Sequence, residues 1–255
     1  MKVILRNIKS LLKGFFSLIG ITLIDPIEIF FIPETNTFYP IISKSGCSSI
    51  KLILIRQFNP TYENVFPGIH FANPASLTED QLRQLYFKTY YSYMKWARGK
   101  NMVFVMRDPI SRFYSCYIDV KTGKNIMYQG PKLHWMMASR FPKNLSFKEF
   151  AKNALAIPDY LSDRHFRSQG FYLNQKVKNN LASLKKYTLE DYMACTQNSK
   201  SESTAVKLNA NNESMPSEVK AGLMSNPSFQ KRLKHDFALF ETIVATKCPS
   251  SSQHA

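Results

Sequence analysis

The chain has 255 residues, 44% hydrophobic and 20% charged, which suits a globular protein of one domain, with or without an accessory region, able to bury a substantial core. Lys and Arg number 34 against 18 Asp and Glu, a formal net charge of +16 that implies an anionic partner: a nucleotide, a nucleic acid, a membrane surface or an acidic glycan. The four cysteines, Cys47, Cys116, Cys195 and Cys248, form no CxxC pair, so metal-ligand spacing and a disulfide framework are unsupported and a reducing compartment is the default.

Within residues 3–19, Ile4, Ile8, Leu11, Leu12, Phe15, Leu18 and Ile19 share one helical face, and Lys2, Arg6, Lys9, Lys13 and Ser17 fall on the other. Such a basic amphipathic helix, predicted over 1–24, either lies on an anionic membrane surface or covers the core with a solvated face. Lys13 and Asp25-Pro26 leave it short of the ~20 apolar residues a membrane span needs, and no convincing signal-peptide cleavage site follows. Ile27 to Ile32 reads as a strand, and Pro33 to Asn36 as a turn.

Phe38 to Ile42 is short and apolar enough for a buried strand, and Ile50 to Arg56 suits a packed helix. Between them lies the hydroxyl-rich loop Ser43-Lys44-Ser45-Gly46-Cys47-Ser48-Ser49. Amides at a helix N-terminus carry partial positive charge and bind anions, so this junction is a candidate anion site. Lys44 supplies a full charge, Gly46 lets the backbone come close, and Ser48 and Ser49 can donate hydroxyls or cap the helix. An ordinary strand-to-helix turn containing a lysine has the same pattern. The second Gly and the Gly-Lys-Ser/Thr ending of a Walker A loop are missing.

After the break at Asn73-Pro74, Ser76 or Thr78 is a candidate cap for a helix over 79–97, whose aromatics Tyr86, Phe87, Tyr90, Tyr91, Tyr93 and Trp96 read as mostly core or groove lining. Met102 to Met106 is the clearest buried strand and runs directly into Arg107-Asp108-Pro109. Asp108 before Pro109 starts a helix, with Pro where its missing N–H costs nothing. Ser111, Arg112 and Ser115 follow on adjacent turns, making a second candidate anion site with Arg107. Ligands of open α/β sheets gather at the C-terminal ends of strands, and two such sites suit a ligand with phosphates at both ends. Further helices are expected over 146–156, 170–183 and 228–246, with polar loops over 196–204 and 209–217. The organisation expected is one domain over 25–247 and a frayed tail over 248–255.

The two junctions resemble the nucleotide-binding motifs of sulfotransferases that use 3′-phosphoadenosine-5′-phosphosulfate (PAPS), in particular the Golgi-type carbohydrate sulfotransferases and their bacterial relatives. Lys44-Ser45-Gly46-Cys47-Ser48-Ser49 matches the first motif, with Ser43 where that family usually has Pro. Arg107, Pro109, Arg112 and Ser115 fit the spacing of the second. Asp163 to Gln169 is similar to a His-Trp-containing segment of the family, and Tyr187 to Asp191 and Leu208 to Asn211 to later landmarks. The resemblance implies a P-loop-like three-layer α/β fold, with a central parallel sheet flanked by helices and a helix-rich C-terminal half. It assigns Lys44, Ser45, Gly46, Cys47, Ser48 and Ser49 to the 5′-phosphosulfate, and Arg107 and Ser115 to the 3′-phosphate. Lys44 is then the group that stabilises the leaving phosphate, and no metal is expected. His70, between the motifs where related enzymes carry a catalytic His or Glu, is the first candidate base, followed by His165 and Glu63. His134, beside Trp135, is placed on the acceptor side or in the structure. The expected acceptor is a glycan or glycolipid. Without a long membrane anchor or paired lumenal cysteines, the chain is expected to be a bacterial cytoplasmic enzyme, peripheral to the inner membrane face through residues 1–20. Two other readings share parts of the pattern: a nucleotide-dependent phosphotransferase and a non-enzymatic basic protein binding membrane or polyanion. No nucleic-acid motif is visible, and nucleic acid is not an expected partner.

Overall fold

The computed structural model describes residues 23, 25–58, 60, 62, 83–122, 141, 144–198 and 215–246. The helix expected over 1–24, apart from Leu23, and the tail over 248–255 lie outside the described residues, as do Glu63, His70, His134 and Leu208 to Asn211.

Five strands form one sheet in the order β3-β1-β2-β4-β5: β1 (Ile27–Ile32), β2 (Thr37–Pro40), β3 (Arg83–Phe87), β4 (Asn101–Met106) and β5 (Ser183–Thr188). β2, β4 and β5 run parallel, with Phe38 opposite Met102 and Met106 opposite Thr188. β1 pairs antiparallel with β2 and with β3, so the parallel part carries a two-stranded antiparallel extension and the sheet is mixed. The reversal from β1 to β2 is a single 3₁₀ turn closed by Asn36, whose φ of 48° is in the left-handed region that Asn tolerates.

Strand alternation separates the layers. Ile27, Ile29, Met102, Phe104 and Met106 meet α2 (Tyr90–Ala97), α5 (Gln175–Lys178) and α8 (Pro227–Ala245) on one face. Phe30, Ile32, Val103 and Val105 meet α1 (Cys47–Phe58) and α6 (Leu189–Asn198) on the other. An aromatic cluster joins α3 (Pro109–Thr122), α4 (Phe147–Leu155), α7 (Ser217–Met224) and α8, with Phe113 at 5.2 Å from both Phe150 and Phe229. Ser146 and Glu149 form a capping box at the start of α4. No helix among the described residues is long and apolar enough to cross a membrane.

Two expected helices take other forms. The described part of 79–97 is strand β3, a turn, and then α2, capped by Thr89, whose hydroxyl accepts from the Ser92 amide at 3.0 Å. The open edge of β1 decides this, because it pairs Ile27 with Phe87 and Ile29 with Leu85. Tyr93 is fully buried, but Tyr86 and Tyr91 are exposed. The expected helix over 170–183 is a 3₁₀ turn (Gln169–Leu173), the single turn α5 and the start of β5. Asn174 restarts the chain by capping α5, and β4 draws the segment after it into the sheet. The loop expected from Thr196 begins within α6, which runs to Asn198.

Candidate active site

β2, β4 and β5 each end on the same side of the sheet and lead into a helix: α1 after the six residues 41–46, the last four of them a turn, α3 after Arg107-Asp108, and α6 directly. In the first junction Lys44 and Gly46 both have left-handed backbones, with φ of 65° and 74°. For a lysine this is uncommon and stored at the turn itself. At Gly46 it is joined by close approach, since an added Cβ would lie 2.4 Å from Cδ1 of Leu189. The turn leads directly into α1, whose first turn holds Cys47, Ser48 and Ser49 and whose N-terminal amides carry partial positive charge.

The second junction locks onto the first. Arg107 Nη1 donates to the Lys44 carbonyl at 3.3 Å, and Arg112, buried in α3, donates from Nε to the Ser43 carbonyl at 2.9 Å. Asp108 caps α3 by accepting from the Ser111 amide at 2.7 Å. Ser111 itself is exposed, whereas Ser115 is buried on the inner face of α3. The fully buried Ser45 donates its hydroxyl to Gln169 Oε1 at 2.7 Å, turning its side chain into the protein. Gln169 also accepts from the Arg107 amide at 3.0 Å and donates to the Arg107 carbonyl at 2.8 Å.

Lys44, Arg107 and Arg112 are close enough to influence one another. Burial, chiefly, and then the two guanidinium groups push the Lys44 ammonium below its ordinary range, although it pairs with Asp119. Burial pushes the Cys116 thiol up, and its Sγ donates to the His165 carbonyl at 2.8 Å. Asp163 engages the His165 side chain at Nδ1 and accepts from its amide at 2.8 Å, which orients the imidazole and leaves Nε2 for other partners.

Three participants carry no sequence-level signal of their role. Asp119 looks like a surface helix residue, Gln169 is an unassigned member of the segment 163–169, and Asp236 is 67 residues from the amide it binds. Only a two-sided view of the junctions finds them.

The fold and this paired-junction geometry define an α/β protein with two basic strand-to-helix junctions bonded to each other at its parallel strand ends. A profile of the sulfotransferase family matches residues 28–216, from β1 to the residue before α7 and including both junctions. The chain belongs to that family, whose members are enzymes that take PAPS as sulfuryl donor. No curated protein and no solved structure matches it.

Proposed function

We propose that the chain transfers the sulfuryl group of PAPS to a hydroxyl of a glycan or glycolipid by in-line displacement. The observation that carries this reading is the contact between the junctions, in which Arg107 donates to the Lys44 carbonyl while Gln169 bonds both Ser45 and Arg107. The residues fit such a donor: Lys44, Arg107 and Arg112 bring three cations together, and an arriving anion relieves their mutual repulsion. The donor supplies an activated sulfuryl group and leaves as adenosine 3′,5′-bisphosphate. Lys44, the α1 N-terminus, Ser48 and Ser49 hold the 5′ end and neutralise charge on the bridging oxygen as the S–O bond breaks. Arg107 and Ser115 hold the 3′-phosphate. The acceptor oxygen bonds to sulfur, and its proton passes to His70 or to the Asp163-oriented His165. A glycan acceptor is supported by the resemblance of the motifs and by the basic balance of the chain. The same reading takes residues 25–247 as one catalytic domain in the cytoplasm, with residues 1–20 resting on an anionic membrane surface.

A dedicated 3′-phosphate site makes the protein distinguish nucleotides by that phosphate. Charge-assisted hydrogen bonds contribute about 1.5–3 kcal/mol each, so two predict a preference of roughly tenfold to a thousandfold for the bisphosphate over AMP at fixed salt. Calorimetric titration of the bisphosphate, AMP and ATP with magnesium measures it. Arg107→Ala is expected to erase most of the preference while leaving AMP binding nearly unchanged. Equal affinity for the bisphosphate and AMP would overturn the reading, and a preference for ATP with magnesium would replace it with phosphoryl transfer.

A further inference from the structure

We infer that Asp236, on a helix beyond the family match, is a positioning residue for sulfuryl transfer: it fixes Gln169, which holds the two halves of the donor site in register. The inference rests on the donor site proposed above.

The carboxylate of Asp236 grips two consecutive amides, accepting from Gln169 at 2.8 Å through Oδ2 and from Gly170 at 2.7 Å through Oδ1. Asp236 is 1% exposed and Gln169 fully buried, so these bonds form away from water, where geometry is held tightly. The helix is also pressed against the backbone here. A Cβ on Gly170 would lie 2.3 Å from Cδ2 of His235 and 3.0 Å from Oδ1 of Asp236.

With its backbone gripped, the Gln169 side chain has one arrangement. Its oxygen must face the Arg107 N–H, which can only donate, and its NH₂ must face the Arg107 carbonyl, which can only accept. The amide thus pairs with Arg107 as a neighbouring strand would, just beyond the end of β4, and its oxygen has room for the Ser45 hydroxyl as well. Every bond in this relay is between a part of the site and a part that fixes it. The relay runs from Asp236 through Gln169 to Ser45 in the first junction and Arg107 in the second. α8 occupies residues 227–245, whereas the family match ends at 216. The C-terminal helix is therefore part of the donor-binding machinery and more than a cover for the sheet.

The test measures affinity for adenosine 3′,5′-bisphosphate in the wild-type chain, Asp236→Asn, Gln169→Ala and the double variant. Asp236→Asn keeps the shape but turns an NH₂ toward one of the two amides, and is expected to weaken binding about 10- to 100-fold, as loss of an orienting partner does. Gln169→Ala is expected to weaken it to a similar extent, and the double variant no more than the worse single one, because both act through the same relay. Hydrogen exchange supplies a second readout that needs no substitution. Binding of the bisphosphate to the wild-type chain is expected to slow exchange of the Gln169 and Gly170 amides at least about tenfold. A folded Asp236→Asn with wild-type affinity, multiplicative losses in the double variant, or amide protection indifferent to the ligand would each overturn the inference while leaving the donor site standing. A wild-type chain that does not bind the bisphosphate would overturn both.

Discussion

Lys44 combines a left-handed backbone with an ammonium that is largely buried, paired with Asp119 and crowded by two guanidinium groups. Losing it has two consequences that one substitution confounds: the donor loses a cation, and Asp119 is left without its partner beside the site. Lys44→Ala is expected to lower turnover about a hundredfold or more, comparable to losing an oxyanion donor. Lys44→Ala with Asp119→Asn separates the two. If the lysine acts on the transition state, the double variant stays as slow as the single one in turnover, and only bisphosphate affinity recovers when the stray carboxylate is removed. Restored turnover would assign the defect to Asp119. The base is tested the same way. His70→Ala is expected to keep bisphosphate affinity and lose most transfer, with the acidic limb of the pH–rate profile altered. If His70→Ala stays active, the same experiment on His165→Ala tests the imidazole held by Asp163.

The first junction is one strand end, one turn and one helix start, and Gly46 is where all three are tight. Gly46→Ala imposes a left-handed conformation on a residue with a Cβ, about 1–2 kcal/mol, and drives that Cβ into Leu189, about 1–3 kcal/mol more. Urea unfolding is expected to show a loss of about 2–5 kcal/mol, falling to about 1–2 when the substitution is made in a Leu189→Ala background. This turn was legible in the sequence because its signals are local: an apolar run, small polar residues, one glycine, then another apolar run. The same holds for β4 with its Asp108-Pro109 helix start, and the helix expected over 146–156 forms as α4. Arg83 to Phe87 was misread because an aromatic-rich run suits a strand as well as a helix, and only pairing with β1 decides between them. Residues 170–183 do not form one helix because the Asn174 side chain caps a new turn after the 3₁₀ segment, and the chain then enters β5 beside β4 at Ser183. Gln169 and Asp236 stayed invisible because their roles consist of contacts 62 to 124 residues apart.

Across the whole molecule, one buried carboxylate ties stability to the donor site. Burial raises Asp236 from 3.8 to about 6; the Gly170 and Gln169 amides and Arg112 oppose the rise, and Asp159 adds to it. Since the raised value belongs to the folded state, between pH 4 and 6 the native chain holds a proton that the unfolded chain has released. Its stabilising contribution is therefore complete below pH 4 and lost as pH rises through about 6, the reverse of a salt-bridged carboxylate. A rise of this size corresponds to about 3 kcal/mol, so the unfolding free energy of the wild-type chain should fall by about that much relative to Asp236→Asn between pH 4 and pH 7. Affinity should move the other way. Both oxygens of Asp236 accept from amides, an arrangement that suits the ionised form, so the protonated form loosens Gln169. The ratio of bisphosphate affinities, wild type over Asp236→Asn, should rise as pH passes upward through 6, and taking the ratio removes the titration of the ligand's own phosphates. Urea unfolding and calorimetry across pH 4.5–7.5 check both trends. Opposite slopes, with the stability slope absent from Asp236→Asn, are expected if the fold carries an ionised carboxylate at neutral pH for the sake of its donor site. Parallel slopes would show that protonation of Asp236 leaves the grip on Gln169 intact.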